Sequence, residues 1–228
     1  MPQALNVGLM VPSNNTTMER EMLAWLPAGS TCHTVKIPRG KGLLTPENLP
    51  DYIGQALKLA AVFENPNVDV VAYGCTAAGF ISGPAGDAKL QDDLKRITHK
   101  QVVTTARSMV EALNDIGGKK IALVTPYLDS VNTQLKAFLA DGGIEVKRFN
   151  SFYAQNTDEL GRIEAYQVAQ LARETMGDDC EAMFIGCSQL PTAEILGDLA
   201  REFGRPVMSS IQVTARRAQQ AAVKTVAA

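Results

Sequence analysis

Two thiols stand at matched places in the chain. The segments Val70-Val71-Ala72-Tyr73-Gly74-Cys75-Thr76-Ala77 and Ala182-Met183-Phe184-Ile185-Gly186-Cys187-Ser188-Gln189 are both short apolar runs that end in Gly-Cys followed by a small hydroxyl residue. A thiolate is a nucleophile and a base, and its pKa falls near backbone N–H groups at helix starts. The residues after each cysteine, Thr76-Ala77-Ala78-Gly79 and Ser188-Gln189-Leu190-Pro191, are read as turns or helix starts whose amides suit a carboxylate. The expected ligand is a small organic acid. Cys75 and Cys187 are the catalytic candidates, and Thr76, Ala77 and Ser188 are candidates for binding. The alternative for either cysteine alone is structural, since a free cysteine usually behaves as a small buried hydrophobe. Two thiols with the same glycine neighbours argue for chemistry.

The elements that must position these thiols are strands. A short apolar run bounded by glycine fits a parallel strand covered on both faces, and open parallel sheets bind ligands beyond the carboxyl ends of their strands. Strands are expected near 5–12, 32–38, 68–75, 101–105, 119–126, 144–152, 181–187 and 206–210. Helical patterns fall between most of them. Ala56, Leu57, Ala60 and Ala61 recur at helical spacing, and Leu135, Phe138 and Leu139 form a stripe that ends at Gly142-Gly143. This alternation predicts an α/β fold with parallel sheets.

The same plan occurs twice. Val7–Pro12 resembles Ile121–Pro126, and Gln101–Thr105 leads into a helical Ala106–Ile116 pattern as Pro206–Ser210 leads into Val213–Val226. With the two Gly-Cys segments, three echoes in one order imply two pseudo-symmetric halves. If the halves face each other, Cys75 and Cys187 approach one pocket from opposite sides. The expected division is residues 1–105 with 206–228 for one lobe and 106–205 for the other, with strand exchange between lobes allowed and Ala106–Ile116 as the bridge.

Composition narrows the partners. A chain of 228 residues with net charge −2 has no electrostatic footprint for nucleic acid. It has no apolar run of membrane-spanning length and passes at once from Met1-Pro2 into its first strand, so a cytoplasmic location is expected. Cys32, Cys75, Cys180 and Cys187 lack Cys-x-x-Cys spacing, and only His33 and His99 accompany them. No metal site is expected, and in a reducing cytosol the thiols are free. Cys32 and Cys180 read as structural.

Val11-Pro12-Ser13-Asn14-Asn15-Thr16-Thr17-Met18-Glu19 resembles the amino-terminal signature of maleate cis–trans isomerases. The two Gly-Cys segments and Thr125-Pro126-Tyr127 resemble matching parts of that family and of the wider aspartate/glutamate racemase superfamily, which includes arylmalonate decarboxylases. The resemblance spans nearly the whole chain. It implies two Rossmann-like (flavodoxin-like) halves related by a pseudo-twofold axis, an active site between them and no cofactor. It also implies that Asn15 holds a substrate carboxylate, that Tyr127 lines the site, and that Asn156 in Gln155-Asn156-Thr157-Asp158 holds a second carboxylate. Read from the residues alone, Asn15 suits equally a cap for the helix beginning near Thr16, Asn156 suits a turn, and Tyr127 suits a pocket wall. The Pro38–Pro46 segment, with Arg39 and Lys41 among glycines, reads as a lid over residues 39–46 or as a solvated loop with a helix entry at Thr45-Pro46. This segment and Tyr127–Asn132 look closer to the decarboxylases.

The resemblance therefore implies a two-cysteine isomerase of a small dicarboxylate, most directly maleate to fumarate through a cysteine-bound intermediate. A racemase using both thiols as acid and base is the nearest alternative. The decarboxylases of the superfamily carry one cysteine, at the position of Cys187, with glycine where Cys75 stands, so Cys75 argues against a pure decarboxylase. A non-catalytic carboxylate-binding protein is the alternative of another class. A homo-oligomer remains open, with Gly79, Phe80 and Ile81 facing either a pocket or an interface.

Overall fold

Val7, Leu9, Met10 and Val11 are wholly buried, so the first strand has no solvent face. Such a strand belongs at the centre of a parallel sheet covered on both sides. The structure, a computed structural model, describes residues 3–40 and 42–226. Met1, Pro2 and the loop cation Lys41 lie outside the described residues.

The first part of the chain runs β1 (Asn6–Pro12), α1 (Met18–Trp25), β2 (Thr31–Ile37), α2 (Leu49–Ala60), β3 (Val70–Tyr73), α3 (Thr76–Ile81), α4 (Gly83–Thr98), β4 (Gln101–Thr104) and α5 (Thr105–Asp115). The second runs β5 (Lys120–Thr125), α6 (Asp129–Asp141), β6 (Glu145–Ser151), α7 (Thr157–Gly161), α8 (Ala165–Thr175), β7 (Ala182–Ile185), α9 (Leu196–Phe203), β8 (Val207–Ser209) and α10 (Ser210–Val226). Two four-stranded sheets result, in the orders β2-β1-β3-β4 and β6-β5-β7-β8, all pairings parallel. The repeated order is the physical form of the repeated sequence plan. All eight expected strands are present, each within a few residues of its predicted span.

The two halves are stitched together by their last helices. β8 pairs with β7 in the second sheet, whereas α10 packs Ile211, Ala215, Ala218 and Ala222 against Leu5, Val7, Leu9 and Val11 of the first. Residues after 206 thus serve both sheets. The small alanines let α10 approach the sheet closely. Helix α10 begins at Ser210, three residues before the periodicity predicts, because Ser209 Oγ accepts from the Gln212 N–H and caps its first turn. On the other side of the pseudo-dyad, Thr104 Oγ1 accepts from the Arg107 N–H and starts α5 in the same way. The Thr214 hydroxyl bonds Thr105 Oγ1 where these helices meet. Among the described residues, no helix is long and apolar enough to cross a membrane, and no cluster of three His, Cys, Asp or Glu side chains could hold a metal ion.

Candidate active site

In each sheet the chain leaves the central strand in one direction and returns on its other side. The switch point lies between β1 and β3 in the first sheet and between β5 and β7 in the second, and crevices at such points are where open α/β sheets take ligands. Four loops leave the carboxyl ends of these four strands. They carry Asn15 after β1, Cys75 after β3, Tyr127 after β5, and Cys187 with Ser188 after β7, and all of these residues line one cleft together with Thr76 and Ala77. The site is thus formed where two switch points face each other.

Burial dominates the thiols. Cys75 is 3% exposed and Cys187 5%. Desolvation pushes the Cys75 thiol above its ordinary pKa, opposed by the Arg39 charge, the Ala78 and Ala77 N–H groups and the Tyr52 hydroxyl. Desolvation also raises Cys187, opposed by the Tyr127 hydroxyl and the N–H groups of Gln189 and Leu190, while negative charge on Cys75 raises it further. The Gln189 N–H lies 3.4 Å from Cys187 Sγ. The two thiols are therefore inequivalent. Both stay above the ordinary value, and the Arg39 cation favours the thiolate form of Cys75. Tyr127 remains a neutral donor, because burial, and then the neighbouring Cys187, hold its hydroxyl far above the usual range.

The entrance to this chemistry is held by bonds between the halves. Asn15 Nδ2 donates to the Ser188 carbonyl at 3.0 Å and lies 3.4 Å from Ser188 Oγ, while its Oδ1 accepts from the Thr17 and Met18 N–H groups at the start of α1. The Ser188 hydroxyl donates to the Gly74 carbonyl at 2.7 Å, next to Cys75. The Thr16 N–H donates to Gln189 Oε1, and Gln189 Nε2 returns a bond to Thr16 Oγ1. Beneath them, the buried Glu21 carboxylate accepts from the Thr192 N–H at 2.8 and 3.0 Å and from its hydroxyl at 3.0 Å. Residues more than 110 positions apart in sequence thus fix the two cysteine loops against each other.

Several polar groups beside Cys75 lack a well-formed hydrogen bond. The Thr76 Oγ1, Tyr52 hydroxyl, Tyr73 hydroxyl and Arg39 Nε are buried without a well-formed hydrogen bond among the described residues. Orphaned buried donors are costly, about 1–3 kcal/mol each, unless something else completes them. Their grouping around one thiol marks a place for negative charge.

The model of the arylmalonate decarboxylase family matches residues 7–226. The chain belongs to that family. Among its relatives is the maleate isomerase of Nocardia farcinica, 27% identical over 90% of this chain and 84% of the relative. The arylmalonate decarboxylase of Bordetella bronchiseptica is 25% identical over 75% of this chain and 72% of its own length. A solved structure of Nocardia farcinica maleate cis-trans isomerase, a cysteine-to-serine mutant with a covalently bound succinylcysteine intermediate, superposes with a TM-score of 0.89. It is 24% identical and covers 97% of this chain and 94% of that one.

Within this family frame, the structure brings Asn15, Cys75, Thr76, Ala77, Tyr127, Cys187 and Ser188 into one cleft and leaves out Asn156. The Asn156 side chain instead caps α7, accepting from the Asp158 and Glu159 N–H groups at 3.0 and 2.9 Å and donating to Glu159 Oε1. A loop asparagine followed by a short helix satisfies its own chain first. Its neighbour Thr157 lines the cleft. Sequence alone offers Arg39 as part of a lid or of a solvated loop and does not single out Leu43, Leu44, Val131 or Leu160, apolar residues that line the cleft. The mix of two cations with paired leucines in residues 39–44 was the available signal for Arg39, Leu43 and Leu44.

Proposed function

We propose that this protein is a cofactor-independent isomerase that converts maleate, or a close cis-enedioate, to its trans isomer through a cysteine adduct. The observation that carries this reading is the pair of inequivalent buried thiols at opposed strand ends of one cleft. Relatives named as maleate isomerases support it, as does the succinylcysteine held by a structural neighbour.

The chemistry balances with the residues in hand. The Cys75 thiolate adds to one alkene carbon, forming an S–C bond while the π electron pair moves to the other carbon and its carboxylate. The Cys187 thiol protonates that carbon, giving a saturated adduct with free rotation about the former double bond. After rotation the Cys187 thiolate removes the proton, the double bond re-forms, the S–C bond breaks, and fumarate leaves with Cys75 again a thiolate. Tyr127, Thr76 and the backbone amides after Cys75 are assigned to the enediolate charge. Asn15 is assigned to a carboxylate through the Nδ2 proton that faces Ser188 Oγ only at 3.4 Å.

The apolar lining residues Leu43, Leu44, Val131 and Leu160 favour a second reading, in which an arylmalonate or another acid with a bulky apolar group is the substrate. Proton NMR in deuterated buffer separates the two. The isomerase reading expects fumarate from maleate, abolished in Cys75→Ala and in Cys187→Ala. Loss of carbon dioxide from an arylmalonate, with maleate untouched, would replace it. Free thiols suit a reducing compartment and support a cytoplasmic assignment in this reading, for the enzyme alone or as a homo-oligomer.

A further inference from the structure

We infer that Arg39 is a carboxylate-binding residue that makes the cleft selective for dianions over monoanions, a role that deepens the isomerase reading and rests on its ligand class. Arg39 is the only Asp, Glu, Lys, Arg or His side chain among the described residues that line the cleft. Its main chain is pinned beside the first switch point, since its N–H donates to Ser13 Oγ at 3.2 Å and the Ser13 N–H donates to the Ile37 carbonyl at 2.8 Å. The loop thus fixes where the side chain starts. At its other end, Nε is buried with no hydrogen-bond partner, and among the described residues no carboxylate pairs with the guanidinium.

A guanidinium drawn into a partly dry cleft without an anion is unfavourable, and its planar fork matches a carboxylate in two parallel hydrogen bonds. Asn156, the group expected to hold a second carboxylate, is turned to the start of α7. One end of a dicarboxylate therefore meets neutral donors near Asn15 and Thr76, and the other meets Arg39. A ligand with one charge cannot satisfy both ends equally well. The same cation faces Cys75, so dianion capture and thiolate stabilisation draw on one residue.

The test is calorimetric titration of the full-length protein with succinate and with its monoamide, succinamate, for wild type, Arg39→Gln and Arg39→Lys. Wild-type conversion of maleate is followed alongside. A charged hydrogen-bonded pair of this kind corresponds to roughly 10- to 100-fold in affinity. Wild type is expected to prefer succinate by about that factor. Arg39→Gln is expected to bring the preference close to one, and Arg39→Lys to keep part of it as a point charge without the fork. Melting temperatures report whether each variant is folded, and no loss is expected because the side chain makes no bond among the described residues. A preference unchanged in Arg39→Gln, or a wild type without preference, overturns the assignment. Selective succinate binding through Arg39 without turnover of maleate would leave the assignment standing and sink the isomerase reading instead.

Discussion

Replacing Asn15 separates its two duties, the start of α1 and the bond between the halves. In Asn15→Ala the Thr17 and Met18 N–H groups lose their acceptor, and the Ser188 carbonyl, buried against the other half, loses its donor. Loss of the cap costs about 1 kcal/mol. Leaving a buried carbonyl unpaired costs about 1–2 kcal/mol more. The sum, about 2–3 kcal/mol, lowers the melting temperature of a chain this long by about 4–12 °C. Asn15→Asp keeps both acceptor bonds at the helix start, where negative charge is favourable, but sets an oxygen against the Ser188 carbonyl. It is expected to lose about half as much stability and at least as much activity, because its charge also opposes an incoming carboxylate. Differential scanning calorimetry with steady-state kinetics on maleate reads both. A melting temperature within about 1 °C of wild type in Asn15→Ala, or an Asp variant as unstable as the Ala variant, would refute the reasoning.

The two Gly-Cys segments look alike but pack differently. A Cβ on Gly74 would stand 2.9 Å from the Met10 carbonyl oxygen and 2.4 Å from Met18 Sδ, whereas one on Gly186 meets nothing closer than 3.6 Å. Gly74→Ala is expected to cost about 1–3 kcal/mol and Gly186→Ala under about 1, as read from urea unfolding midpoints. Burial first, and Glu111 in addition, push the Asp87 carboxyl up to about 6. Because its folded pKa lies above the unfolded value near 3.9, stability falls as pH rises from about 4 to about 6, and a penalty of at most about 3 kcal/mol persists above that. Asp87→Asn is expected to melt higher than wild type at pH 8 and to lose that advantage at pH 4, and a pH-independent difference would contradict this. Tyr52→Phe removes a hydroxyl that favours the Cys75 thiolate but has no well-formed bond. Iodoacetamide should modify Cys75 more slowly at pH 8 in this variant, with no fall in melting temperature.

What the sequence revealed follows from where its signals arise. Val70–Tyr73 and Ala182–Ile185 are buried on both faces, so they stand out as unbroken apolar runs, and their glycine ends place the thiols at the carboxyl edge. Order along the chain also repeats because the sheet order repeats. By contrast, the pairing of Glu21 with Thr192 joins residues 171 positions apart, and no local pattern records it. Asn156 illustrates a different limit, since the same side chain suits a ligand and a helix start and only the backbone after it decides between them. Arg39 sits in a loop without periodicity, and its aim into the cleft depends on the Ser13 contact rather than on its neighbours in sequence. The expected grouping of residues 206–228 with 1–105 allows strand exchange, but no local pattern records that β8 pairs in the second sheet while α10 packs on the first.

The account centres on a covalent bond between Cys75 and the substrate, with Cys187 as the proton carrier. Intact mass spectrometry of Cys187→Ser after incubation with maleate, followed by peptide mapping, tests this directly. An adduct equal to one added maleic acid on the Cys75 peptide, absent from Cys75→Ala, is the predicted result. No adduct on that peptide, or one found instead on Cys32 or Cys180, would contradict it.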